Sequence, residues 1–308
     1  MREAFAREIE KLAATNNRII ILSGDIGNKM FDTFKSTYPN RFYNCGISEA
    51  NMTSMAAGMA MCGLRPITYT ITAFNTLRCL EQIRLDICFQ KMPVIIVGVG
   101  GGLLYASLNA SHQALEDIAC LRVLPNMTVL CPGDAWEVRA AIHAALNVNG
   151  PVYIRLAKKN EPLVHERMPD FEIGKGIIIK SGTDICILNT GNTLPLAMKA
   201  AAELSESGIS IQVVSMHTVK PLDKDLLKVV FSSFPHVVTI EEHSLLGGFG
   251  GSVSEWLTDQ SPQKARLTRI GTMDTFMYEG GDHEHARKFF GINQEQIVKK
   301  IFNLTKTS

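Results

Sequence analysis

A carboxylate stands where a strand gives way to an apolar helix in Gly46-Ile47-Ser48-Glu49-Ala50-Asn51-Met52. The run Arg41–Cys45 leads into it. Met52, Met55, Ala56, Met59 and Ala60 follow at helical spacing, so the start of that helix is expected inside the protein. A carboxylate placed there loses hydration, and its affinity for a proton rises unless a cation or donor compensates. Such a group is suited to hold a proton in a dry cleft. The same residues also read as an ordinary helix start, with Ser48 as N-cap and Glu49 facing the positive end of the helix dipole. Spacing alone leaves both readings open.

Other residues could take part. Asp25 ends a strand in Ser23-Gly24-Asp25-Ile26-Gly27, the place where α/β proteins put ligand-contacting groups. A local Asx turn or helix cap accounts for it equally. His112 follows the loop Gly98-Val99-Gly100-Gly101-Gly102, and a neutral imidazole there can donate to one oxygen and accept from another. A surface-loop histidine is the plain alternative. The three consecutive glycines could cradle a phosphate but lack the G-x-G-x-x-G spacing. Phe74 alone reads as a core ring at a helix start. Glu241 ends a strand ahead of Gly247-Gly248-Phe249-Gly250, so that segment could bind an anion. The cluster Asp282, His283, Glu284 and His285 invites a metal, yet adjacent residues on a helix point apart and make a poor ligand set.

Positioning these groups requires an alternating frame. Candidate strands are Ile19–Ser23, Arg41–Cys45, Pro66–Thr70, Val94–Val99, Thr128–Cys131 and Val152–Leu156. Helical patterns fall between them at Lys29–Tyr38, Glu49–Cys62, Asn75–Phe89, Ala114–Leu121 and Asp134–Asn147. Val- and Ile-rich strands separated by helices predict an α/β fold, a mostly parallel sheet with helices on both faces. A charged, aperiodic stretch, Lys158–Lys175, reads as a linker. A smaller α/β unit follows, with strands at Ile177–Lys180, Asp184–Asn189, Ser210–Ser215, His236–Glu241 and Ala265–Ile270. The expected division is a first domain at 1–160, a linker at 161–176 and a second domain at 177–308.

The 308 residues suffice for two cores. A formal charge of +1, from 31 basic and 30 acidic residues, gives no reason to expect nucleic acid or an anionic membrane as partner. The seven cysteines form no C-x-x-C pair and read as free thiols of a reducing cytoplasm. The charged, amphipathic start Met1–Glu8 lacks a signal-peptide core.

Ordered motifs run nearly the whole length: Tyr38-Pro39-Asn40-Arg41-Phe42, Gly46 to Met52, Gly63-Leu64-Arg65-Pro66, Ser111-His112-Gln113, Leu124-Pro125-Asn126, Pro132-Gly133-Asp134 and Pro151 to Leu156. Together they resemble the pyrimidine-binding domain of transketolases. Met216 to Asp223 and Glu241 to Gly250 resemble the transketolase C-terminal domain. The chain is thus similar to the C-terminal half of a split, two-subunit transketolase. The resemblance implies thiamine diphosphate as cofactor, with Glu49 bonded to N1′ of its aminopyrimidine and preparing loss of the thiazolium C2 proton. It implies that Phe74 stacks on the pyrimidine, that Ile71 lies in that pocket where relatives tend to carry a ring, and that Asp25 lies near the reactive end. It implies that His112 contacts the donor sugar. Lys158, in Ala157-Lys158-Lys159-Asn160, replaces the family's phosphate-binding arginine.

The departures bear on substrate and assembly. Leu108 stands where the family reads a sugar hydroxyl with aspartate, and Gly100 where a phosphate-binding histidine falls. These changes lead us to expect a less polar or unphosphorylated donor. The G-D-G motif that holds Mg²⁺ and the diphosphate is missing; the nearest strings are Gly24-Asp25-Ile26, Gly133-Asp134-Ala135 and Gly281-Asp282-His283. A companion N-terminal subunit is therefore expected to supply that half, in an α2β2 heterotetramer transferring a two-carbon ketol unit between sugars. A 2-oxoacid dehydrogenase β-type subunit, an acyloin synthase and a non-catalytic scaffold are the alternatives.

Overall fold

The computed structural model describes residues 1–26, 29–158, 161–261 and 264–306. Gly27, Lys159 and Asn160, which belong to motifs named above, lie outside the described residues.

The first sheet contains β1 (Ile19–Ser23), β2 (Phe42–Asn44), β3 (Arg65–Ile71), β4 (Ile95–Val99), β5 (Thr128–Leu130) and β6 (Val152–Leu156). β1, β3, β4 and β6 are buried along their whole length, as apolar strands covered on both faces must be. The second sheet contains β7 (Ile177–Lys180), β8 (Ile185–Asn189), β9 (Ile211–Ser215), β11 (His236–Ser244) and β12 (Arg266–Thr272). The short β10 (Thr218–Lys220) returns from the second unit and joins the first sheet, antiparallel to β5. The orders are β10-β5-β6-β4-β3-β1-β2 and β12-β11-β8-β9-β7. All pairings are parallel except β10 with β5 and β7 with β9.

In the first sheet the chain runs from β1 outward to β2, then crosses to β3 on the opposite side of β1. Strand order reverses there, and the carboxyl ends of β1 and β3 flank a crevice. One apolar cluster joins Leu22, Met52 and Ile96 of the first unit to Leu188, Val214 and Phe231 of the second. The two sheets therefore share a core.

One expected element breaks. Asn75–Phe89 reads as a single helix, but the chain forms a short α-turn at Thr72–Asn75, a 3₁₀ turn at Leu77–Cys79, an α-turn at Leu80–Gln82 and a wider π-helical segment at Ile83–Phe89. Side chains compete with the helical ladder: Asn75 Nδ2 donates to Val97 O at 2.9 Å, Thr76 Oγ1 to Thr72 O at 2.7 Å, and Cys79 Sγ to Phe74 O at 3.2 Å. The break brings Phe74 and Arg78 together over the crevice.

Four of the cysteines are buried, at 79, 88, 131 and 186, while Cys62 is exposed; all seven are free thiols. Among the described residues no helix is long and apolar enough to cross a membrane.

Candidate active site

Glu49 opens the helix Glu49–Met61 and is 4 % exposed. Ala and Met, both strong helix formers, carry that helix. Ser48 precedes it without a side-chain cap hydrogen bond, so the simple capping role read from the sequence is not made. The Glu49 carboxylate is instead compensated by Arg78, whose Nη1 donates to Oε2 at 2.9 Å. Its position is the switch-point crevice. A Cβ built on Gly24, just past β1, would lie 2.7 Å from Thr70 Oγ1 of β3 and 3.7 Å from Glu49 Oε1. The glycine keeps that approach clear.

A line of contacts leads away from the carboxylate. The Arg78 guanidinium lies 4.3 Å above the centre of the Phe74 ring. Phe74 meets His112 edge-to-face at 5.1 Å between ring centres. Ser111 Oγ and His112 Nδ1 are hydrogen-bonded at 2.9 Å. Tyr105 lies 6.1 Å from His112, and the Lys158 ammonium sits 4.4 Å over the Tyr105 ring. Four of the residues named from the sequence, Glu49, Phe74, His112 and Lys158, thus fall on one track. Ile71, 9 % exposed, ends β3 just before the Phe74 turn. Asp25 is exposed beyond the end of β1, where it accepts from Asn44 Nδ2 at 3.1 Å. It flanks the crevice through a bond to the end of β2 rather than through the Phe74–His112 line.

Several polar atoms here have no partner. Thr70 Oγ1, Thr72 Oγ1 and Gln113 Nε2 are buried without hydrogen bonds. Buried polar groups are nearly always satisfied, so unpaired ones at a crevice point to a missing ligand or water. Tyr105 and Arg78 were not singled out from the sequence. Tyr105 explains one departure: a Cβ at Gly100 would collide with its ring at 2.0 Å, and Gly100 has φ +73°. A histidine at position 100 has no room, because Tyr105 fills that volume. The signal for Arg78, a lone basic residue four positions after a candidate ring, became readable only once the helix was seen to break.

Two anion sites that the sequence left open are not formed. The glycines 100–102 cradle no phosphate, since Gly101 packs against Arg155 and Gly102 against Glu242, where a Cβ would meet side chains at 2.6 Å in both cases. The N-terminus of the helix Phe249–Thr258 offers no vacant anion site: Glu241 Oε2 accepts from Phe249 N at 2.6 Å and Oε1 from Gly250 N at 2.7 Å. Burial outweighs those bonds and pushes the Glu241 carboxyl up to about 7.

The residues at this crevice suit the pyrimidine end of the cofactor that the resemblance implies: a buried carboxylate, an aromatic face and the unpaired Thr70 hydroxyl. The Mg²⁺–diphosphate end does not. Asp25 is bonded to Asn44, and Asp134 caps the helix Ala135–Leu146 through Trp136 N and Glu137 N, both at 2.9 Å. Asp282 caps the helix His283–Phe289. Among the described residues no group of three or more His, Cys, Asp and Glu could hold a metal ion.

An apolar rim runs along the helix that Glu49 opens and the segment packed against it. The Glu49–Met61 helix packs beside Ile83–Phe89, tied by Ser54 Oγ to Asp86 at 2.6 Å. These and neighbouring segments expose Ile47, Met61, Leu77, Leu85 and Phe89, the first and last at 78 % and 75 %.

Comparison with known proteins completes the picture. Residues 1–162 match the transketolase pyrimidine-binding domain, and residues 174–297 match the transketolase C-terminal domain. A putative transketolase C-terminal section from Methanocaldococcus jannaschii is 35 % identical, over 99 % of this chain and 96 % of its own. The 6-deoxy-6-sulfo-D-fructose transketolase subunit SqwH of Clostridium sp. (strain MSTE9) is 32 % identical, over 99 % and 94 %. A solved structure described as a split gene transketolase, inactive beta4 tetramer, superposes with TM-score 0.90 at 35 % identity, covering 98 % of this chain and 97 % of its own.

Proposed function

The chain belongs to the transketolase family, and on that premise we propose that it is the C-terminal subunit of a split ketol transferase, completed by a companion subunit. The observation that carries this reading is the half-site itself: buried Glu49 at the switch point, linked through Arg78 to the Phe74 ring, while among the described residues the candidate acids Asp25, Asp134 and Asp282 are taken up by local hydrogen bonds. The companion supplies Mg²⁺ and diphosphate binding and covers the apolar rim of Ile47, Leu85 and Phe89 in an α2β2 assembly. Free thiols suit such an enzyme to the reducing cytoplasm.

Thiamine diphosphate, when bound, supplies the carbanion chemistry for breaking and making a carbon–carbon bond. This chain's residues prepare it. Glu49 holds the proton at pyrimidine N1′, and its burial keeps water from that contact. Phe74 gives the pyrimidine a face, and Ile71 walls the same pocket. His112 donates to and accepts from the sugar oxygens during proton movement, with Gln113 Nε2 still available beside it. Asp25 borders the crevice from β1.

Arg2, Arg7, Lys29 and Lys158 outnumber Glu3 and Glu10 along one cleft, and Arg2 Nε donates to Lys158 O at 2.6 Å. That cleft ends the track from Glu49 and favours an acidic group at the far end of the sugar, in place of the neutral donor suggested by Leu108 and Gly100. A lysine there serves as a point charge. The relative from Clostridium is named for a sulfonated sugar, which is compatible with such an end.

The test is reconstitution with the companion captured from native cells, then ketol transfer from ketoses with and without a terminal phosphate or sulfonate. Transfer by the complex and none by either chain alone supports the reading. A companion-independent activity, or a complex that binds no thiamine diphosphate, contradicts it.

A further inference from the structure

We propose that Arg78 occupies the seat of the cofactor's aminopyrimidine in the free chain and must leave it when the cofactor binds. The inference rests on the functional reading above and concerns how that site is held before it is filled. An aminopyrimidine needs a hydrogen-bond partner in Glu49 and an aromatic face at its back. The guanidinium of Arg78 has both, at 2.9 Å from Glu49 Oε2 and 4.3 Å above the Phe74 ring. It is planar, carries its donors in the plane and stacks on rings, so it satisfies the same two contacts as the heterocycle.

The two partners differ in exposure. The Glu49 side chain is 4 % exposed and that of Arg78 is 46 %. The carboxylate is therefore the fixed part, and the arginine reaches it from the solvent side on a flexible stem. Arg78 lies in the short 3₁₀ turn Leu77–Cys79 of the broken helix, whose neighbours hold their bonds to Phe74 O and Thr72 O without it. Its departure breaks no helical ladder.

Two measurements test this. In the reconstituted complex, Arg78→Ala is expected to tighten thiamine diphosphate binding by about tenfold, the worth of displacing one charge-assisted contact. Added guanidinium chloride, at concentrations below unfolding, is expected to weaken binding to that variant more than to wild type by refilling the seat. Arg78→Lys, which keeps the charge but not the plane, is expected to bind with an affinity between the two. In the free chain, ¹⁵N NMR of labelled arginine is expected to show the Arg78 side chain restrained in wild type and mobile in Glu49→Gln. Equal or weaker binding in both variants, with guanidinium acting alike on all three proteins, overturns the proposal. So does an Arg78 side chain equally mobile in wild type and Glu49→Gln, a result that needs no cofactor and so separates failure of this inference from failure of the functional reading. If no complex binds thiamine diphosphate at all, both fall together.

Discussion

Two buried polar regions lie close together in this molecule and are built on opposite plans. Around Glu49 a single arginine compensates the carboxylate, the nearby Thr70 hydroxyl goes unpaired, and an apolar rim faces outward. Behind the glycines 100–102 the Asp117–Arg155–Glu242 region leaves almost nothing unpaired. Asp117 accepts from Arg155 Nε at 2.8 Å and Tyr153 OH at 2.6 Å. Glu242 accepts from Arg287 Nε at 2.6 Å, His283 at 2.8 Å, Asn192 Nδ2 at 2.9 Å and Leu103 N at 3.1 Å. Burial alone would raise both carboxyls, but Arg155 holds Asp117 below the usual range, and Arg287 with His283 holds Glu242 well below it. The second region is saturated and joins the two domains. The first leaves a hydroxyl unpaired and apolar side chains exposed, as the proposed half-site requires.

That contrast can be broken by exchanging effects between the regions. Glu49→Gln in the reconstituted complex should reduce turnover by roughly 10²- to 10⁴-fold, the range for loss of a positioned proton-transfer group, while circular dichroism and Tm stay at wild-type values. Wild-type turnover in that variant would remove Glu49 from the mechanism. Arg155→Met should do the reverse, destabilising the chain by about 3–5 kcal/mol because Asp117 is left as an unpaired buried charge. Urea denaturation measures it, and a loss under about 1 kcal/mol would show that the region is not the clamp described.

A smaller effect sharpens the comparison through pH. Burial raises the folded Glu241 carboxyl to about 7, above the ordinary glutamate value of 4.5 that holds in the unfolded chain, so the folded state binds this proton more tightly. Its contribution to stability is full below about 4.5 and is lost as pH rises through about 7. Glu241→Gln should flatten the decline in Tm between those values; an unchanged slope would assign the decline to other groups. The smallest effect is expected at Thr70→Val. Its hydroxyl has no partner to lose, so stability should move by no more than about 0.5 kcal/mol by urea titration.

Much of this was legible in the residues. The strands Ile19–Ser23 and Val152–Leu156 fall where their apolar runs end, because a strand covered on both faces must be apolar throughout. The segment 72–89 was not legible, since the bonds that break it run from Asn75 and Thr76 to backbone brought close only by the fold. β10 was hidden for the same reason: three residues, Thr218–Lys220, gain strand form by pairing with β5, far away in sequence. At the site, Glu49 stood out by its place at a strand–helix junction, whereas Phe74 and His112 were marked through the family resemblance and on type alone read as an ordinary core ring and a loop histidine. Arg78 and Tyr105 could not be named, because their roles come from what they touch: a carboxylate and ring for one, the empty side of Gly100 for the other. Spacing likewise could not tell that Glu241 itself fills the helix start that looked ready for an anion.

The central claim is that this chain carries half of a cofactor site. Calorimetric titration of thiamine diphosphate with Mg²⁺ into the chain alone, and into its one-to-one complex with the captured companion, tests it directly. The account predicts saturable binding by the complex and none by the chain alone. Equal, Mg²⁺-dependent binding by the isolated chain would contradict it.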